Sequence, residues 1–142
     1  YLSRRNLMKI TRRMFLGGSL AAVSTAAFAG VKTAQASMPT FGGIIYPKEN
    51  PGKWKGKSGS HAPQISVEGR KGTVTTSHPM SQGHYIVRHT LVLKDGTVVG
   101  EQTFFPVKDT KAVSTFELPE GYKSTFYATS FCNLHDLWVT EG

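Results

Sequence analysis

Along residues 64–140, apolar and β-forming residues gather in short runs separated by polar segments bearing Gly and Pro. No segment sustains the 3.6-residue apolar period of an amphipathic helix, and no internal repeat is evident. The runs predict strands over 64–68, 72–77, 85–93, 97–105, 112–118 and 124–131, with a short closing strand over 137–140. Lys94-Asp95-Gly96-Thr97 predicts a hairpin, because Asp-Gly between two β-rich runs favours a tight turn. Residues 37–60, rich in Gly, Pro and Lys, read as an extended loop region wrapping the body. About seven short strands in some 80 residues predict an all-β fold, an antiparallel immunoglobulin-like β-sandwich.

Charge divides the chain into an address and a domain. Residues 1–36 hold six basic residues (Arg4, Arg5, Lys9, Arg12, Arg13 and Lys32) and no acidic one. Thr11-Arg12-Arg13-Met14-Phe15-Leu16 matches the twin-arginine export pattern, and an apolar stretch rich in Ala, Gly and Ser follows to Gly30. Ala34-Gln35-Ala36 is a small-x-small cleavage signal, which sets the expected mature start at Ser37. A membrane anchor is the other reading, but the stretch is weakly hydrophobic and only near the spanning minimum of about 17 residues. The expectation is a signal peptide over 1–36 and a single domain over 37–142. The domain is then periplasmic or otherwise extracytoplasmic, with no stable membrane association once the signal is removed. The whole chain carries +8, but residues 37–142 hold 11 Lys and Arg against 9 Asp and Glu, a net +2. With no basic stripe interleaved with aromatics, nucleic-acid binding is not expected.

Candidate chemistry centres on Cys132. It is the sole cysteine, so it closes no intramolecular disulfide, and it ends a predicted strand three residues before His135. Taken alone, such a residue is as readily an inert small hydrophobe as a metal ligand. His61, His78 and His84 stand at other predicted loops and strand ends, where side chains from different strands converge. Sulfur with imidazole selects iron, copper or zinc. His89 is five residues beyond His84, an odd offset along a strand, so it is expected to face the other side and to take no part.

His61-Ala62-Pro63, His78-Pro79-Met80 with His84, and Cys132-Asn133-Leu134-His135 with Trp138 resemble the iron site of the superoxide reductases, the neelaredoxin and desulfoferrodoxin family. Lys53-Trp54-Lys55-Gly56 matches that family's approach to its first ligand. The resemblance implies the same sandwich fold and a mononuclear iron held by His61, His78, His84 and His135 in a plane, with Cys132 on the axis. It implies one-electron reduction of superoxide to hydrogen peroxide. Since the single cysteine rules out a four-cysteine iron module in this sequence, electrons are expected from an external donor such as a rubredoxin-like or other redox protein. Association into a homo-oligomer is open.

Two positions depart from the family pattern. Gly59-Ser60 stand where the family carries Glu-Lys before the first ligand, so Lys57 is the expected substrate-attracting charge, with Lys55 as the alternative. Asp136 stands where Gly is usual and a left-handed backbone is implied, a conformation Asp tolerates better than most residues. Two rival functions remain. A cupredoxin-like electron carrier would need an axial Met after the last histidine, and none follows Cys132. A non-catalytic carrier module would present its thiol on a mobile tail.

Overall fold

The computed structural model describes residues 43–142. The expected signal segment and the cleavage point before Ser37 lie outside the described residues. Eight strands run in order: β1 (Ile45–Pro47), β2 (Gln64–Glu68), β3 (Lys71–Thr76), β4 (Ile86–Leu93), β5 (Val98–Thr103), β6 (Ala112–Glu117), β7 (Phe126–Cys132) and β8 (Asp136–Glu141). They form a five-stranded sheet, β1-β8-β7-β4-β5, facing a three-stranded sheet, β2-β3-β6. Every pairing is antiparallel except β1 with β8.

Alternation explains the two layers. In β6, Ala112, Ser114 and Phe116 point inward while Val113, Thr115 and Glu117 face solvent; in β7, Phe126, Ala128, Ser130 and Cys132 are the buried set. One end of the interior is filled by Val74, Leu91, Leu93, Phe116, Leu118, Phe126 and Ala128. Ile86, Phe104, Ala112 and Cys132 fill the other. Each large side chain so buried contributes roughly 1.5–3 kcal/mol. The Asp-Gly hairpin forms as expected: Gly96 adopts φ 89°, and the Thr97 amide donates to the Asp95 carboxylate at 2.9 Å.

Between the apolar ends a buried polar chain crosses both sheets. Thr76 Oγ1 donates to Ser130 Oγ at 2.9 Å and contacts His89 Nε2 at 2.9 Å, while His89 Nδ1 lies 2.8 Å from Ser114 Oγ. With the Thr76 proton committed to Ser130, His89 Nε2–H donates to Thr76 and Nδ1 accepts from Ser114. Burial holds His89 down to about 4, so the ring is neutral. His89 faces the interior, apart from the other four histidines, but strand parity is not the reason. His84 precedes β4, and a bulge interrupts the register between Ile86 and Arg88.

The described residues hold eight strands, in keeping with the expected sandwich of about seven. One expectation is corrected: residues 37–60 are not loop throughout their described part. They contain β1, a 3-10 turn (Gly52–Trp54) and a one-turn helix, α1 (Ser58–His61). β1 has only three residues and includes Pro47; its pairing with β8 and the packing of Tyr46 on Trp138 (ring centroids 5.7 Å) come from some 90 residues further along the chain. Gly52 sits at φ 48°, and a Cβ there would meet the Tyr46 ring at 3.1 Å. Among the described residues no helix is long and apolar enough to cross a membrane.

Candidate metal centre

Three connections bring five donor side chains to one end of the sandwich. α1 delivers His61 as its last residue, the β3–β4 connection carries His78 and His84, and the β7–β8 hairpin carries Cys132 and His135. That hairpin closes Cys132 against Asp136 across three residues, with Asp136 at φ 62°. Asp136 is the one non-glycine at positive φ among the described residues. The position thus has the left-handed backbone expected of it, which a Gly, Asn or Asp takes at least cost.

Four ring nitrogens form a closed ring. His61 Nε2 lies 3.1 Å from His78 Nε2, which lies 3.0 Å from His84 Nε2; His84 Nε2 is 2.9 Å from His135 Nδ1, which returns to His61 Nε2 at 3.0 Å. A square of that side has its centre about 2.1 Å from each corner, matching a metal–imidazole bond of about 2.0–2.1 Å. Cys132 Sγ stands 3.5 Å from His135 Nδ1 and 3.8 Å from His78 Nε2. These two nitrogens occupy opposite corners, and all five donors lie within 4.8 Å of one another. The sulfur thus stands close to the same cluster of nitrogens.

Hydrogen bonds behind two of the four rings fix which of their nitrogens are bare. His61 Nδ1–H donates to the Lys57 carbonyl at 3.1 Å, with Ser60 Oγ 2.8 Å away, and His78 Nδ1–H donates to the Pro79 carbonyl at 2.5 Å. Neutral rings with protonated Nδ1 present lone pairs at Nε2, and an acceptor behind the ring raises the basicity of the ligating nitrogen. Two bare nitrogens 3.1 Å apart repel each other, and a cation among them turns that contact favourable. The donor set therefore fits a metal ion. Its chemistry, imidazole and thiolate with five donors, suits iron better than the four-coordinate sites usual for zinc.

Burial reinforces the neutral state. Desolvation, aided by the neighbouring His78, pushes His61 down to about 4. Desolvation also lowers His78 and His135. On both of these the positive charge of Lys57 acts in the same direction, which puts its ammonium within electrostatic reach of the ring. Cys132 is fully buried, whereas His84 and His135 are only partly so. The His84 and His135 edge of the ring borders solvent, while His61, His78 and Cys132 are buried.

Outer contacts hold the donors in place. Trp138, wholly buried, donates through Nε1 to the His135 carbonyl at 2.8 Å. Asn133 clasps the His84 loop, accepting from the Tyr85 amide at 2.9 Å and donating to the Gly83 carbonyl at 3.0 Å. The Trp54 ring meets His135 edge-on at 4.7 Å, and its Nε1 donates to Asp136 Oδ2 at 3.0 Å. Asn133 and the Asp136 contact carry no signal in composition or strand pattern; only the short Cys-x-x-His spacing hints that the intervening residues are constrained.

The sequence profile described as desulfoferrodoxin matches residues 53–141. Among solved structures, a superoxide reductase in the oxidised state is 28% identical, covering 70% of this chain and 94% of that one, with TM-score 0.54. A superoxide reductase (neelaredoxin) from Ignicoccus hospitalis is 26% identical, covering 74% of this chain and 96% of that one, with TM-score 0.60. The superoxide reductase from Treponema pallidum is 27% identical, covering 61% of this chain and 69% of that one, with TM-score 0.52. Curated protein sequences gave no match.

Proposed function

The chain belongs to the desulfoferrodoxin family, and from that premise we propose that it is a superoxide reductase with a mononuclear iron at His61, His78, His84, His135 and Cys132. The convergence of four imidazole nitrogens and one thiol sulfur within 4.8 Å carries this reading. Superoxide takes up one electron and two protons to give hydrogen peroxide. Iron bound there would supply one-electron exchange between two oxidation states, which zinc lacks, with a separate donor protein as the source of electrons.

This chain's residues do the rest. With the buried sulfur of Cys132 on the axis, the partly exposed edge near His84 and His135 is left for the substrate. Lys57, half-buried and within electrostatic reach of His78 and His135, draws the anion; nearby positive charge raises encounter rates more than affinity. No carboxylate is among the five converging donors, and water at the open edge delivers the protons. A cupredoxin function is disfavoured by the same geometry, because a His2Cys copper site uses two histidines and four converge here. Export by the twin-arginine route through residues 1–36 belongs to this proposal, since that route carries a protein already folded around its metal.

The test is to purify the protein anaerobically, measure its metal, oxidise it and record the visible spectrum. The expected result is about one iron per chain and a thiolate-to-ferric charge-transfer band, together with peroxide formation from superoxide at the expense of an electron donor. Stoichiometric copper with an intense blue band, or no peroxide, would overturn the reading.

A further inference from the structure

Asp136 adjoins the last histidine, yet its carboxylate turns away from the donor ring toward a different segment. One oxygen, Oδ2, accepts from Trp54 Nε1 at 3.0 Å and pairs with Lys53 Nζ at 2.9 Å. The Lys53 ammonium also lies 4.9 Å from the centre of the Trp54 ring. Trp54 in turn rests its ring against His135.

From Trp54 the hydrogen bonds run on to the first histidine. The Lys57 amide donates to the Trp54 carbonyl at 3.0 Å, and the Ser60 amide donates to the Lys57 carbonyl at 3.1 Å. That same carbonyl receives His61 Nδ1 at 3.1 Å and Ser60 Oγ at 3.2 Å. The segment 53–61 is thus tied at one end to the hairpin bearing His135, and at the other it fixes the tautomer of His61. Apolar burial of the segment centres on Trp54, half-buried and packed against Tyr46, Ala62 and Trp138; no residue of the 3-10 turn is fully buried, and in α1 His61 alone is.

We propose that Asp136 is a positioning residue: a latch that binds the Lys53–Trp54 segment to the ligand hairpin and so holds His61, His135 and Lys57 in mutual register. This rests on the reading of the five donors as a metal centre. Within the latch, the hydrogen bond from the indole to a charged oxygen outweighs the Lys53 ion pair. Both partners of that pair are well exposed, and exposed pairs contribute little, whereas a charge-assisted hydrogen bond is among the stronger ones.

The backbone and side-chain roles of Asp136 separate cleanly. Asp136→Gly keeps the left-handed turn and removes the latch. Asp136→Asn keeps both the turn and an acceptor for Trp54 while losing the charge. Amide hydrogen exchange and iron release to a chelator are measured on the iron-loaded protein. In Asp136→Gly and Trp54→Phe the amides of Lys57 and Ser60 should exchange about tenfold faster, and iron should leave about tenfold faster, the scale typical of lost outer-sphere partners. The ferric electron paramagnetic resonance signal should broaden as the ring orientations spread. Asp136→Asn should restore most of the parent behaviour, and Lys53→Ala should stay near it. Parent exchange and release rates in Asp136→Gly would overturn the latch, as would Lys53→Ala matching Asp136→Gly. If the isolated protein holds no metal, the metal-centre reading fails, while amide exchange in the same variants still decides whether Asp136 orders the segment.

Discussion

The Nε1–H of Trp138 reaches the carbonyl oxygen of His135 at 2.8 Å from a site with no solvent exposure. The indole therefore both fills the space against Tyr46 and sets the direction of the hairpin that offers the His135 ring. Trp138→Phe keeps most of the packing and orphans the carbonyl. It should cost about 1–3 kcal/mol in chemical denaturation and loosen iron retention in a chelator challenge. Equal stability and equal iron release would show that the bond positions nothing.

Cys132 supplies the sole sulfur of the donor set and is wholly buried beside Ile86, Phe104 and Ala112. Cys132→Ser should abolish the thiolate-to-ferric band and slow superoxide reduction by more than the roughly 10–100-fold expected for losing an outer-sphere partner. Stopped-flow kinetics with absorbance detection measures both. A variant that kept the band would displace Cys132 from the proposed axis.

Lys57→Ala should lower the second-order rate with superoxide several-fold at low ionic strength and flatten its salt dependence, leaving the iron spectrum unchanged. Lys55→Ala serves as the comparison, because Lys57 is the lysine acting electrostatically on His78 and His135. Parent rates for both variants across a salt titration would leave attraction to the iron alone.

His89 gives a pH dependence of stability that is separate from the donor ring. Burial lowers its folded value to about 4 from the usual 6.5. Between those values the unfolded chain binds a proton that the folded chain refuses, so stability falls as pH drops from about 6.5 to about 4. The full effect is about 3 kcal/mol, at about 1.4 kcal/mol per unit. In metal-free protein, where iron loss cannot intervene, urea melts across this range should show a shallower slope for His89→Gln than for the parent. The loaded variant should retain its iron. Identical slopes would contradict the burial argument.

Gly100→Ala is a control that disturbs the fold and spares the site. A Cβ there would lie 2.8 Å from Phe116 Cδ1 across the sandwich. Overpacking of this kind costs about 1–3 kcal/mol, so the melting temperature should drop while the visible spectrum stays put. A changed spectrum would mean that the core and the donor ring are coupled more tightly than their separation into clusters implies.

Sequence alone determined the features that depend on local chemistry. Runs of β-formers marked seven of the eight described strands, β2 with the same first and last residues, because alternation along one strand is written in consecutive residues. Asp95-Gly96 marked its hairpin for the same reason, and the placing of Cys132, His135, His78, His84 and His61 at predicted loops and strand ends marked them as candidates, which the fold brings within 4.8 Å of one another. The left-handed backbone at Asp136 was implied by the resemblance, since the family usually carries Gly there and Asp tolerates that conformation better than most residues.

Tertiary structure decided whatever requires partners far apart in the chain. β1, three residues long with Pro47 at its end, forms where β8 lies beside it. The turn of His89 into the interior rests on a bulge and a buried polar chain across two sheets rather than on strand parity. The direction of the Asp136 carboxylate has no signal in the sequence; the fold turns it to Trp54, 82 residues away along the chain. Propensity acts over a few neighbouring residues, whereas a side chain's direction and its partners are set by packing, which exists only once distant segments have met.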